Sequence, residues 1–182
     1  EESFAIELPP YMQDLADTGK KVSDGWVFCN SFNTERSYGG TLEGRPPLES
    51  GASQNDMDYL HCIPWRKAEA LAKAGRTETI AGMPTIRLAT ALEEGLLTFI
   101  PEPKSPHGVD VSPDGTVVVV GGKLDTHVTV YDTQKIAQLI EAKDFIGKDP
   151  YGVPIIQFEK AIRGQCEIGL GPLHTTFDNR GN

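Results

Sequence analysis

"HGVDVSPDGTVVVVGGKLDTHVTVYDTQK", His107 to Lys135, is the stretch whose reading decides the fold class. Val109–Val111 and Thr116–Val120 are dominated by β-branched side chains, which favour extended backbone. Between them stands Ser-Pro-Asp-Gly at 112–115, ordinary turn chemistry to which no function is assigned. Gly121-Gly122 breaks the run, a third strand follows over His127–Tyr131, and an Asp-Thr turn closes the unit. Three or four short antiparallel strands joined by tight turns are the layout of one β-propeller blade. The expectation is an all-β fold, a propeller segment of about two to three blades with short helical insertions.

Working outward, further strands are expected at Gly25–Asn30 and Asp58–Ile63, separated by a loop from Thr34 to Asp56 that is too long for a simple connection. "PWRKAEALAKAG", Pro64 to Gly75, reads as a helix, with Pro at the first turn and Gly as the stop. "TQKIAQLIEAK", from Thr133, reads as a second helix, and "VPIIQFEKAI", from Val153, as another strand. After His174 a short strand (Thr175–Phe177) and a turn (Asp178–Gly181) are expected. With 19 Gly and 13 Pro among 182 residues, such punctuation suits many short strands.

His107 and His174 share a setting: each stands at the entrance of an expected strand, and they are 67 residues apart. In a propeller the innermost strand of each blade runs along the central channel, so residues at its start converge on one mouth. Histidines placed so can build a multi-histidine metal site, and neutral imidazole suits Cu, Zn, Fe and Ni. The alternative for each is a solvated or backbone-bonded turn residue. His61 and His127 lie inside expected strands and read as core or surface residues. Glu35, in the long loop, and Asp58, which closes it, form a second candidate, since hard carboxylate oxygens suit Ca²⁺. The bland alternative there is a solvated acidic loop, and no EF-hand pattern is present.

The totals exclude some classes. A net charge of −9 would repel a phosphate backbone, so nucleic acid is not an expected partner. No apolar run reaches the roughly 18 residues of a membrane span. The three cysteines, Cys29, Cys62 and Cys166, are scattered and read as small buried residues, not as a disulfide framework or metal knuckle. The start without a leader, and an end that leaves a strand unpartnered, point to a piece of a longer protein.

Two segments carry a family resemblance. "GLGPLHTTFDNRGN", Gly169 to Asn182, resembles the "GLGPLHTTFD-x-RGN" segment of the nitrous-oxide reductases, and "PEPKSPHGVDVSPDG", Pro101 to Gly115, is similar to their "VPKNPHG…SPDGK" segment. "GGKLDTHVTVYD" falls where their "AGKLS" strand does, and the likeness runs from about Val27 to Asn182, loosely over Arg36–Asp56. The resemblance implies a seven-bladed propeller with a tetranuclear copper–sulfide cluster held by seven histidines, of which His107 and His174 match two. Residues 1–182 would then be a fragment of the propeller domain. The cupredoxin domain with its binuclear copper centre would lie outside this chain. It further implies calcium near the cluster, with Glu35 (in "FNTE") and Asp58 as side-chain ligands and Phe32 offering a main-chain carbonyl. Ser105 stands where better-known members carry an Asn ligand, and a Ser hydroxyl is a shorter, weaker donor. The implied activity is reduction of N₂O to N₂ and water in a periplasmic homodimer fed by a c-type cytochrome or a cupredoxin. Two histidines cannot assemble a seven-histidine cluster, so the isolated chain is expected to be inactive. The rival readings are a non-enzymatic propeller scaffold and a Ca²⁺- or Zn²⁺-dependent propeller hydrolase.

Overall fold

The computed structural model describes residues 3–32, 58–102, 105–178 and 180–181. Strands β1 (Ala5–Ile6), β2 (Met12–Thr18), β3 (Val27–Phe32) and β4 (Asp58–Ile63) come first. Helix α1 (Trp65–Lys73), strands β5 (Glu78–Ile80) and β6 (Met83–Ile86), helix α2 (Leu88–Glu93) and strand β7 (Thr98–Glu102) follow. The chain then forms β8 (His107–Val111), β9 (Val117–Gly121), β10 (His127–Asp132), α3 (Thr133–Glu141), β11 (Gly147–Lys148), β12 (Pro154–Ile155), α4 (Phe158–Ala161) and β13 (Ile162–Glu167). The result is mostly β-sheet with few helices, and no sheet closes on itself among the described residues.

Two sheets organise the molecule. In one, the order is β11-β12-β7-β4-β3-β2, with β2, β3, β4 and β7 successively antiparallel, β12 parallel to β7 and β11 antiparallel to β12. In the other, β13-β10-β9-β8 is antiparallel throughout. A small third sheet, β1-β6-β5, flanks them.

The period of two along β4 decides what lies between the sheets. Leu60 and Cys62 join Phe28 and Ile100 in a core shared with Val109, Val111, Val118, Val120 and Tyr131 of the second sheet. Tyr59 and Ile63, on the alternate positions, join a second core with Phe99, Ala68, Ile86 and Leu96. Burial of one such aliphatic side chain contributes about 1.5–3 kcal/mol. Every residue of β9 is buried, and Val118 and Val120 share the first core with Ile136 of α3 and Ala161 of α4.

Most expected elements are present, shifted by a residue or two. α1 runs from Trp65 to Lys73, just after Pro64, and α3 starts where the Asp132 carboxylate accepts from the backbone N–H of Gln134 and Lys135. Two expectations are corrected. The strand foreseen from Val153 is only Pro154–Ile155. Phe158 and Ala161, at helical spacing, then turn into the first core as α4, and extended backbone resumes at Ile162. The strand foreseen at Thr175–Phe177 makes no ladder among the described residues. Its Thr175 N–H bonds the Asp110 carboxylate instead of a neighbouring strand's carbonyl.

Candidate metal centre

His107 opens β8 beside Gly108, whose φ of 80° is a left-handed value that glycine adopts without strain. A register shift between His107 and Val109 sets the histidine off the regular ladder of β8 with β9. Its side chain is 26% exposed. Nδ1 is hydrogen-bonded to the Asp14 carboxylate, which β2 brings across from the neighbouring sheet. A carboxylate there fixes the tautomer with hydrogen on Nδ1 and the lone pair on Nε2.

His174 reaches the same place by a different route. The backbone at 172–173 lies directly over Gly108 and Gly121. A Cβ built on Gly108 would sit 2.0 Å from the Leu173 carbonyl oxygen, and one on Gly121 would sit 2.7 Å from the carbonyl oxygens of Leu173 and Pro172. Only residues without side chains permit this approach. On the far side of His174, the Thr175 N–H donates to the Asp110 carboxylate at 2.8 Å. The segment is thus held on both flanks, and the imidazoles of His107 and His174 meet edge to face, with ring centroids 4.9 Å apart and planes at 72°. The two residues singled out for their matched placement are neighbours in space. Two imidazoles, one held by a carboxylate, are a donor set that suits copper, and among the described residues no group of three or more His, Cys, Asp or Glu completes a metal site.

Asp58, the first residue of β4, is fully buried and accepts a 2.9 Å bond from the Ser105 N–H. Ser105 is buried as well, with a left-handed φ of 45°. Glu35, the other expected calcium ligand, lies outside the described residues. Directly across the ladder from Asp58 stands Glu102, 2% exposed, and neither of its carboxylate oxygens has a hydrogen-bond partner. Burial pushes the Glu102 carboxyl well above the usual carboxylate range, and the charge of Asp58 adds to the rise. Two buried carboxylates face to face, one of them with both oxygens orphaned, suit a hard cation, so the residues present fit calcium here.

The remaining histidines stand apart from this site. His61 is fully buried, stacked on Phe99 with centroids 4.3 Å apart, and neither ring nitrogen has a partner. Burial lowers its pKa to about 3. His127 bonds the Asp125 carboxylate at 2.7 Å near the surface. All three cysteines are free thiols, Cys29 and Cys62 buried as expected, whereas Cys166, also expected to be buried, is exposed on β13.

Sequence reasoning missed Asp14 and Glu102. The signal for Asp14 is an acid inside a strand-like segment, "YMQDLADTG". The signal for Glu102 is an acid at the end of the apolar run "LLTFIPE", at a position whose period faces the core.

No family model matches the chain. It is 32% identical over 180 residues to the nitrous-oxide reductase of Stutzerimonas stutzeri, covering 92% of this chain and 26% of that one. The nitrous-oxide reductase of Pseudomonas fluorescens is 31% identical over 173 residues, covering 93% and 23%. That of Ralstonia nicotianae is 34% identical over 159 residues, covering 80% and 23%. Among solved structures, hydrazine synthase of Kuenenia stuttgartiensis aligns with 93% of this chain and 40% of that one, at 14% identity and a TM-score of 0.48, too distant to argue from. The chain therefore spans about a quarter of the length of the curated relatives it matches, and across most of its own length it is a relative of the nitrous-oxide reductases.

Proposed function

We propose that this chain is part of a nitrous-oxide reductase that reduces N₂O to N₂ and water at a multi-histidine copper–sulfide cluster in denitrification. The observation that carries the reading is the edge-to-face meeting of His107 and His174, 67 residues apart in sequence. Similarity to three reductases over most of the chain supports it. In this reading, β2-β3-β4-β7 and β8-β9-β10-β13 are successive blades of a seven-bladed propeller, with β2 and β8 innermost, and His174 leads into the next blade. Their apolar face-to-face packing and the proximity of Asp14 to His107 support that arrangement.

His107 and His174 are the two residues of this chain that hold copper. Asp14 keeps the proton on Nδ1 of His107, leaving Nε2 as the donor atom, and restrains the ring against rotation. Clamping of 172–175 between Gly108 and Asp110 restrains the second imidazole in the same manner. When bound, the cluster supplies several redox-active coppers that bind the inert N₂O and deliver two electrons, with two protons taken up by the departing oxygen. Asp58, with Glu35, holds calcium beside it, and the Ser105 backbone fixes the Asp58 carboxylate. The remaining histidines and the cupredoxin domain with its binuclear copper centre belong to parts of the enzyme outside this chain. The enzyme works as a periplasmic homodimer fed by a c-type cytochrome or a cupredoxin.

In the full-length protein, His107→Ala and His174→Ala should each abolish the cluster's visible absorption and N₂O consumption while circular dichroism stays native. Retained absorption in either variant overturns that residue's ligand role.

A further inference from the structure

The least accommodated group among the described residues is the carboxylate of Glu102. It is 2% exposed and has no hydrogen-bond partner for either oxygen. Its cross-strand partner is Asp58, which is 0% exposed. Side chains directly opposite in an antiparallel ladder have Cβ atoms about 5 Å apart and share one face of the sheet. That face is the one turned toward the second sheet, since Leu60 and Ile100, two residues along the same two strands, belong to the core between the sheets. Two acids facing each other inside a protein repel, and each has lost its water. Such a pair persists when a proton or a cation stands between the oxygens. One Asp58 carboxylate oxygen accepts from the Ser105 N–H at 2.9 Å.

We propose that Glu102 is a ligand in its own right: with Asp58 it clamps one divalent cation of the hard, oxygen-seeking kind, Ca²⁺, between β4 and β7. The inference deepens the calcium reading of Asp58 and rests on it, adding a carboxylate that the sequence comparison did not nominate. Its consequence is a site with one more negative charge, hence tighter binding, and a cation that bridges two strands of one sheet at the end nearest His107.

The test uses the full-length protein stripped with EGTA and titrated with CaCl₂ by calorimetry, with thermal unfolding recorded with and without the metal. Glu102→Gln should weaken Ca²⁺ binding at least tenfold, and Asp58→Asn should do the same. The stripped Glu102→Gln protein should melt no lower than the stripped wild type, and lower than wild type once Ca²⁺ is added. If Asp58→Asn loses the metal while Glu102→Gln binds it as tightly as wild type, Glu102 is not a ligand and the proposal is overturned, with the calcium reading intact. If the wild type itself binds no Ca²⁺, both fall together. Should Glu102→Gln not fold, infrared difference spectra of the wild type decide. Loss of a protonated-carboxyl band on adding CaCl₂, with a new carboxylate band, supports ligation, and a protonated-carboxyl band that persists in Ca²⁺ overturns it.

Discussion

His61 and His107 start from the same side chain and end in opposite surroundings. His61 is sealed in the six-stranded sheet against Phe99, with no partner for either nitrogen. His107 sits at a strand end with a carboxylate on Nδ1, a second imidazole at its edge and a quarter of its surface open. The first behaves as an aromatic hydrocarbon of awkward polarity. The second has one nitrogen committed and the other available, the state a metal requires. Residue type therefore says little about a histidine until the neighbours of both its nitrogens are known.

The contrast breaks most sharply under matched substitutions. His107→Leu should remove the copper absorption altogether, while His61→Leu should leave it unchanged and alter stability by less than about 1 kcal/mol, because it deletes two unsatisfied polar atoms without orphaning others. Visible spectra and urea unfolding of the two full-length variants check this. Absorption lost in His61→Leu would erase the distinction.

The next largest effect concerns how the second imidazole arrives. Gly108→Ala places a methyl group on the Leu173 carbonyl and forces a side chain into a left-handed backbone. A cost of roughly 2–4 kcal/mol is expected, with copper occupancy reduced and His174 displaced. Denaturant melts and metal analysis read both. Unchanged copper content would show that the crossing is not needed for ligation.

Asp14→Asn sharpens the comparison from the other side. It keeps the shape and removes the charge that fixes the His107 tautomer, so copper affinity should fall 10- to 100-fold with little change in stability. Copper retention against a chelator measures it, and retention equal to wild type would make Asp14 incidental.

The smallest effect is a pH dependence belonging to His61. Its folded pKa lies near 3 against 6.5 for the free side chain. As pH falls below about 6.5 the unfolded chain takes up a proton that the folded chain refuses, so stability declines with acid and this loss levels off only below about 3. From neutral pH down to pH 5 the decline amounts to about 2 kcal/mol. Denaturation midpoints at the two pH values should show it, and His61→Leu should flatten the slope by that amount. A slope identical in wild type and variant would mean that His61 is solvated.

Local chemistry made much of this legible in advance. The 107–132 strands declare themselves through β-branched runs and tight turns, and α1 through Pro64 and Gly75. The pairing of His107 with His174 was legible from matched placement and family resemblance together. What was not legible depends on partners far along the chain. Val153–Ile162 has the composition of one strand, yet the core draws Phe158 and Ala161 inward at helical spacing and splits it. Thr175–Phe177 has strand composition too, but its amide finds Asp110 instead of a strand edge. Asp14 and Glu102 become informative only when the sheets place them beside His107 and Asp58. No local pattern records that an acid will be buried opposite another.

The crossing of residues 172–173 over Gly108 and Gly121 also sets an order of events. The β8–β9 turn joins residues close in sequence, whereas the bond from Thr175 to Asp110 closes a loop of 65 residues. Short loops form first, so the glycine-floored seat is ready before its strap can be buckled across it. A copper ion delivered to the protein while that strap hangs loose would meet one of the two imidazoles, and one delivered afterwards would meet both.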